Sequence, residues 1–133
     1  MIVVDTNLIV HLLVNSQNTP QAGAVFKKDS SWVAPVLWKS EFCNVLVTLM
    51  RSGQLSSPEA GLIVRAAENL MRSRGHQVPG HRILSIAAHS SLSAYDCEFV
   101  ALAQDLGLSL VTVDRGILRA FPEIAVSPRQ YAA

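Results

Sequence analysis

Apolar residues along the chain occur in two patterns: short continuous runs, and longer stretches with helical spacing. The short runs are rich in β-branched residues and predict buried strands over residues 2–4, 32–34, 108–113 and 124–126. Between them, apolar positions recur every three or four residues, which is typical of helices that pack one face on a core. Strands that alternate with helices form a parallel sheet with helices on both faces, so the pattern predicts an α/β fold.

Six stretches carry the helical spacing clearly. They cover residues 8–13, 22–28, 35–51, 58–74, 81–89 and 94–106. The helices over 35–51 and 58–74 are expected to form a hairpin, and residues 77–79 a brief extended piece. Several of these helices have recognisable ends, and the last one is expected to begin after Ser93 and to end at Gly107.

Three further helix starts can be assigned from the residues that favour such positions. Thr6 or Asn7 is expected to cap the first helix, and Pro35 to open the helix that follows the second strand. The run Ser56-Ser57-Pro58-Glu59 is typical of a helix start, with Pro58 at the first helical position and Glu59 in the first turn.

The length and composition indicate one apolar domain over residues 1–133. Half of the residues are hydrophobic (50%) and only 16% are charged, which favours a buried sheet together with an interface to another chain. No apolar run approaches the ~18 residues of a membrane span, and no basic region precedes the first apolar run as in a signal peptide. We therefore expect a cytoplasmic protein without membrane contact.

Charge and cysteine content narrow the class of site. The net charge is +1, so any binding of nucleic acid must use a local patch rather than a global field. Cys43 and Cys97 are far apart and lack metal-ligand spacing, which favours small core residues in a reducing compartment.

Four acidic residues stand in apolar settings. Asp5 directly follows the first strand, and Asp114 directly follows the strand over 108–113, so both are expected at the carboxyl edge of the sheet. Glu41 and Asp96 lie on the apolar sides of their helices and could converge on the same edge. The alternatives are local: Asp5 and Asp96 could serve only their helix starts, and Glu41 could flank the core and face water. Glu98 is interpreted as a solvated charge.

Carboxylates brought together repel one another, and their pKa values rise unless a cation neutralises them. Mg²⁺ and Mn²⁺ prefer such oxygen ligands. The histidines are isolated at positions 11, 76, 81 and 89, which disfavours zinc. An all-carboxylate site of this kind indicates chemistry on phosphate esters, since the metal activates water and stabilises charge on the phosphodiester. The chain has no Gly-rich phosphate loop, which disfavours nucleotide hydrolysis of the P-loop kind.

Four short motifs occur in order along nearly the whole chain: Asp5-Thr6-Asn7, Glu41-x-x-Asn44, Tyr95-Asp96 before Phe99-Val100-Ala101-Leu102-Ala103, and Thr112-Val113-Asp114. Together they resemble the PIN domain, and more narrowly the VapC-type ribonuclease toxins of toxin–antitoxin pairs. The resemblance implies a three-layer α/β/α sandwich with a central parallel sheet of about four to five short strands. It also implies cleavage of RNA that depends on Mg²⁺ or Mn²⁺, a homodimer, and a cognate antitoxin partner.

The resemblance also assigns roles by position. It implies that the acidic quartet, Asp5, Glu41, Asp96 and Asp114, binds the metal and carries catalysis. Polar residues expected to support the quartet are Thr6, Asn7, Asn44 and Thr112. Lys39 and Arg115 each lie near an acid of the quartet and are candidates for substrate phosphate contacts, or else solvated surface charges. Cys97 departs from the small residue, often alanine, that the resemblance leads us to expect there.

Other functions remain open at this point. A phosphoacceptor receiver domain also places acids at strand ends, but it needs a lysine after a late strand, and the chain has none beyond Lys39. A catalytically inactive PIN-like module that binds RNA or a partner is a second alternative, and a structure-specific DNA nuclease is a third. The apolar surplus on the first helices and on the hairpin over residues 41–74 favours an antitoxin groove there.

Overall fold

The predicted strands form one parallel sheet in the computed structural model, which describes residues 1–133. In chain order the elements are β1 (Ile2–Val4), α1 (Thr6–Leu13), α2 (Thr19–Lys28), β2 (Trp32–Pro35), α3 (Trp38–Arg51), α4 (Ser57–Leu70), β3 (Gly75–His76), α5 (Gly80–Ala88), α6 (Ala94–Leu106), β4 (Leu110–Val111), α7 (Arg115–Ala120), β5 (Ala125–Val126) and α8 (Pro128–Ala132). The five strands are ordered β3-β2-β1-β4-β5, and every neighbouring pair is parallel.

The strand order reverses beside β1. The chain runs outward from β1 through β2 to β3, then crosses back to β4 and continues outward to β5 on the other side. Val3 of β1 is accordingly paired with Val33 of β2 on one side and Leu110 of β4 on the other. In open parallel sheets such a reversal leaves a crevice at the carboxyl ends of the two strands that flank it, and ligands bind there.

Helices cover both faces of the sheet. On one face α6 packs on β1, β2 and β4, and α5 packs against α6. On the other face α1 packs against α2, α3 and α4, and α8 packs against α2. Right-handed crossovers require this division, because the chain changes direction along the sheet after β3. The predicted three-layer α/β/α sandwich is confirmed.

Burial of the sheet on both sides explains the apolar composition. The side chains of Val3, Val4, Trp32, Leu110 and Val111 are completely buried. Strands covered on both faces need continuous apolar runs rather than alternating ones. None of the helices is both long and apolar enough to span a bilayer.

Pro35 ends β2 instead of opening the next helix, which begins at Trp38. The edge strand β3 pairs with β2 through the N–H groups of Ala34 and Val36, which donate to the carbonyls of Arg74 and His76. The N–H that proline lacks is therefore not needed in this pairing. The brief extended piece expected at 77–79 directly follows β3, which comprises Gly75 and His76, and Pro79 has extended backbone angles.

The helix ends bear out most of the capping predictions. Ser56 Oγ accepts a hydrogen bond from the N–H of Glu59, and the Glu59 carboxylate accepts one from the N–H of Ser56. Ser93 caps α6, and Gly107 ends it with φ of +66°, a left-handed conformation that glycine adopts without strain. The second helix of the hairpin ends at Leu70, four residues earlier than the predicted 74.

Candidate active site

A cleft of about 240 Å³ lies at the carboxyl ends of β1 and β4, where the strand order reverses. All four acids of the quartet line it, each brought by a different segment: Asp5 follows β1, Glu41 lies on α3, Asp96 on α6, and Asp114 follows β4. The other lining residues include no lysine, arginine or histidine. They are Thr6, Asn7, Asn44, Val45, Phe99 and Ile117. The cleft is therefore rich in negative charge, and no basic side chain lines it to balance that charge.

Both carboxylate oxygens of Asp5 accept hydrogen bonds, and their donors come from two different segments of the chain. Its Oδ1 accepts a hydrogen bond from the N–H of Leu8 at 2.9 Å, which makes Asp5 the N-cap of α1. Its Oδ2 accepts from Thr112 Oγ1 at 2.6 Å and from the N–H of Val113 at 3.0 Å. The prediction that Thr6 or Asn7 caps this helix was wrong, because Asp5 does so with one oxygen. The other oxygen ties β1 to β4, so capping and a place in the site are compatible.

The Thr112 hydroxyl connects two acids of the quartet. The side chain is completely buried; its Oγ1 donates to Asp5 and accepts from the N–H of Asp114 at 3.0 Å. Asp114 in turn accepts from the N–H of Ile117 at 2.8 Å through Oδ1 and so caps α7. One hydroxyl therefore sets the spacing between the segments that carry Asp5 and Asp114.

Glu41 is half-buried and bonded to the neighbouring helix. Its Oε1 accepts a hydrogen bond from Thr6 Oγ1 at 2.7 Å, which joins α3 to the start of α1. Burial raises the pKa of Glu41, and the nearby charges of Asp96 and Asp5 raise it further. Glu41 therefore lines the cleft, where it is bonded to Thr6.

Asp96 stands in the first turn of α6, where its N–H donates to Ser93 Oγ at 3.2 Å. Burial raises the pKa of its carboxyl, and the charge of Asp114 adds to the rise. Burial also raises the pKa of Asp5, although the hydrogen bonds from Thr112, Leu8 and Val113 and the charge of His11 oppose it. Burial is the main cause of the raised pKa at each of these carboxyls, and repulsion between neighbouring acids adds to it at Glu41 and Asp96.

Glu98 is a fifth acid near the cleft that sequence reasoning missed. It is half-buried, and both its burial and the charge of Glu41 raise its pKa. It is less exposed than the solvated charge that we predicted, but it does not line the cleft.

The remaining predicted side chains fall in different places. Asn7 and Asn44 line the cleft and are exposed. Lys39 is on α3 but does not line the cleft, and its Nζ forms an exposed ion pair with Glu68 on α4 at 2.9 Å. Arg115 does not line the cleft either; it lines a second cavity beside it.

The donor set of the cleft fits a hard divalent cation. Carboxylate, hydroxyl and amide oxygens are the ligands that Mg²⁺ and Mn²⁺ prefer, and nothing basic competes for the acids. No three of the potential ligands meet at a common point in this structure. The residues thus have the right chemistry for such a cation, and their side chains would have to rearrange to bring three ligands to one point.

The chain belongs to the PIN domain family, whose family model matches residues 2–123. The resemblance noted in its four motifs is thereby confirmed. PIN domains are generally nucleases and generally use divalent metals. Among solved structures, the chain is similar to the crystal structure of FitAcB from Neisseria gonorrhoeae, with a TM-score of 0.76 and 17% identity over 97% of this chain and 99% of that one. At this identity the likeness shows a shared fold. No match was found among curated proteins.

The raised pKa values predict how a divalent metal changes stability. Because Asp5, Glu41 and Asp96 hold protons more strongly when folded, the metal-free protein loses stability as pH rises from the ordinary carboxyl values of 3.8 and 4.5 through the folded ones. Mn²⁺ at about 100 times its Kd should stabilise the fold by ~2.7 kcal/mol and raise Tm by roughly 8 °C near pH 8. The rise should be smaller near pH 5, where protons compete with the metal.

Thermal unfolding in EDTA and in Mn²⁺ across this pH range tests the prediction. NaCl of equal ionic strength serves as the control for screening. A Tm that Mn²⁺ leaves unchanged, or raises equally at both pH values, would contradict a metal site made of these carboxyls.

Proposed function

We propose that this chain is a metal-dependent endoribonuclease, a VapC-type toxin that hydrolyses RNA phosphodiester bonds and is inhibited by a cognate antitoxin. One observation carries the proposal: four carboxylates from four separate segments line one cleft at the strand-order reversal, with no basic side chain among them. Such a cleft repels a phosphodiester unless a cation is present. A chain that uses it for phosphate chemistry therefore needs Mg²⁺ or Mn²⁺.

Asp5 and Asp96 are the residues we assign first to holding the metal, with Glu41 as a ligand or as the group that orients water. Asp114 completes the quartet. When bound, Mg²⁺ or Mn²⁺ supplies a Lewis acid that activates water and neutralises charge on the phosphodiester oxygens. A separate general base is not required by this chemistry.

The other residues of the cleft position the acids and the substrate. The hydroxyls of Thr112 and Thr6 hold Asp5 and Glu41 at 2.6 and 2.7 Å, which limits the rearrangement each carboxylate can undergo. The exposed amides of Asn7 and Asn44 can donate hydrogen bonds to phosphate or ribose oxygens at the rim. Precise placement of such groups is worth several kcal/mol in phosphoryl chemistry.

The proposal is tested by incubating the purified protein with a mixed RNA pool in Mg²⁺, in Mn²⁺ and in EDTA. We expect cutting with either metal, none in EDTA, and recovery when metal is restored. A preparation of Asp96→Asn made in parallel controls for contaminating ribonucleases. Equal cutting by this variant would mean contamination, and a folded protein that binds Mn²⁺ and cuts no RNA would overturn the proposal.

The same experiment separates the two alternatives. Replacing RNA by single-stranded and by branched DNA tests for a structure-specific DNA nuclease, which would cut the branched DNA and spare RNA. A catalytically inactive module would bind RNA or its partner and cut neither nucleic acid. The complete quartet in one cleft favours catalysis over such a module.

We propose the groove between α3 and α4 as the antitoxin site. It is an apolar cavity of about 260 Å³ lined by Leu46, Val47, Met50, Ala60 and Val64, among others. This is the helix hairpin on which the sequence has an apolar surplus. A complex in which the antitoxin leaves Val47, Met50 and Val64 uncovered would contradict the assignment. We likewise propose a homodimer in the cytoplasm, which sedimentation and cell fractionation can test.

Gly116 should be needed for the placement of Asp114. A Cβ at Gly116 would lie 3.1 Å from Asp114 Oδ1 and 3.5 Å from Leu92 Cδ2, so a methyl group there must displace the carboxylate by a few tenths of an ångström. We expect Gly116→Ala to lower kcat for RNA cleavage about tenfold, since small misplacement of catalytic groups is costly.

Gly23→Ala is the matched control, because a Cβ at Gly23 in α2 meets nothing within 4 Å. It should leave cleavage unchanged and stabilise the helix by about 0.5–1 kcal/mol. The test compares the RNA cleavage rates of Gly116→Ala and Gly23→Ala under saturating metal. Equal activity would mean that the position of Asp114 is not critical.

A further inference from the structure

A second cavity adjoins the acidic cleft and differs from it in charge. Its volume is about 320 Å³, within the range of pockets that bind small organic ligands. No acid lines it. Besides the Ser127 hydroxyl, its polar side chains are imidazole, amide and guanidinium groups: His11, Gln17, Asn18, Gln21, Arg115 and Arg129. The apolar part of the lining includes Leu8, Val113 and Leu118. We refer to this cavity as the basic pocket.

Both arginines of the basic pocket are without an acidic partner. The three ion pairs of the protein join the N-terminus to Asp29, Lys39 to Glu68, and Arg82 to Asp105. Arg115 and Arg129 are exposed and take part in none of them. Most lysines and arginines of the chain make no ion pair, so it is the placement of Arg115 and Arg129 that matters. Two guanidinium groups at one cavity whose lining contains no acid form a local site for an anion.

Two chain segments contribute to both cavities. The segment from Val113 to Arg115 has Asp114 in the acidic cleft, while the residues on either side of Asp114 line the basic pocket. At the start of α1, residues 5–7 line the cleft, and Leu8 and His11 line the basic pocket. His11 is also close enough for its charge to lower the pKa of Asp5, against the larger effect of burial. A polymer bound in the acidic cleft can therefore continue into the basic pocket.

We propose that the basic pocket binds one nucleotide of the RNA strand next to the bond that the acidic cleft cuts. Arg115 and Arg129 contact the phosphates that flank this nucleotide, and a guanidinium plane or the apolar wall supports its base. The amides of Gln17, Asn18 and Gln21 can both donate to and accept from a base edge, which gives the pocket the means to prefer one base. The proposal deepens the ribonuclease function and rests on RNA as the substrate.

The experiment measures binding without cleavage. A fluorescein-labelled 12-nucleotide RNA of mixed sequence is titrated with protein in EDTA at several salt concentrations, and anisotropy gives the Kd. We expect Arg115→Ala and Arg129→Ala each to weaken binding about threefold to fivefold, and the double variant at least tenfold. The slope of log Kd against log salt should fall by ~0.7 for each phosphate of the single strand that a variant no longer neutralises.

Arg119→Ala is the charge-matched control. Arg119 lies on α7 with Arg115, is exposed and unpaired, and lines neither cavity. It should change the Kd less than twofold and leave the salt dependence unchanged. Gln21→Ala, with its charge unaltered, should change the ranking of poly(A), poly(C) and poly(U) as competitors.

The outcomes separate this proposal from the nuclease function. If the double variant binds RNA within twofold of wild type, or loses no more than Arg119→Ala, the basic pocket is not a nucleotide site even when wild-type cleavage is intact. The basic pocket is likewise not a nucleotide site if wild type fails to bind RNA at low salt. It is not one either if free inorganic phosphate competes with the labelled RNA as well as unlabelled RNA does. If the double variant loses binding while wild type never cuts RNA in metal, the pocket stands and the nuclease proposal falls.

Discussion

Asp96→Asn should lower metal-dependent RNA cleavage by roughly 10²–10³-fold, the loss expected when one preorganised charged group is removed from a catalytic site. Asparagine has nearly the same shape, and the N–H of residue 96 can still donate to Ser93 Oγ, so α6 keeps its cap. The variant loses the negative charge of Asp96. The nearby charge of Asp114 repels that charge, which contributes to the raised pKa of Asp96. The effect is therefore one of charge and metal binding, not of folding.

Asp105→Asn provides the matched control for this prediction. Asp105 is on the same helix, is exposed, and its Oδ1 pairs with Arg82 Nε at 2.9 Å, outside the cleft. Loss of such a surface pair costs at most about 1 kcal/mol and should leave cleavage unchanged. In EDTA near neutral pH, Asp96→Asn should instead raise Tm, because it removes a half-buried negative charge that neighbours Asp114. Activity lost equally in both variants, or in neither, would refute the role given to Asp96.

The parallel sheet could be predicted because its inner strands carry a signal that depends only on local composition. Runs such as residues 2–4 and 32–34 are apolar throughout, as strands buried on both faces must be. The edge strand β3 has no such signal, since Gly75 and His76 are not completely buried. These two residues form a strand only because their backbones pair with β2. Elements defined by pairing with a distant segment cannot be found from their own residues.

The acids of the site could be predicted for a related reason. Asp5 and Asp114 end apolar strands, and parallel strands bring their carboxyl ends to one edge. The groups that hold them could not be predicted as pairs, because Thr112 and Asp5 are 107 residues apart and Thr6 and Glu41 are 35 apart. Hydrogen bonds of this kind depend on side-chain geometry that only the packed fold sets.

Thr112→Val should destabilise the protein by about 1–3 kcal/mol near neutral pH and also lower cleavage. Valine fills the same buried space, but it removes the hydroxyl that donates to Asp5 Oδ2 at 2.6 Å and accepts from the N–H of Asp114 at 3.0 Å. A buried carboxylate then loses one of its donors, and a backbone N–H loses its acceptor. Because the Thr112 hydrogen bond lowers the pKa of Asp5 against its burial, the variant should raise that pKa further.

The pH dependence distinguishes this account from a simple packing defect. The lost hydrogen bond stabilises the ionised form of Asp5, so the loss of stability should be largest above the folded pKa of Asp5 and should shrink as acid protonates the carboxyl. The acidic limb of the pH–rate profile should move to higher pH. Thr112→Ser keeps the hydroxyl and loses only a methyl group, so it should restore the pH profile while remaining slightly less stable. Urea unfolding at about pH 4 and pH 7 measures the first effect; a destabilisation of equal size at both pH values would mean that Thr112 contributes packing and does not position Asp5.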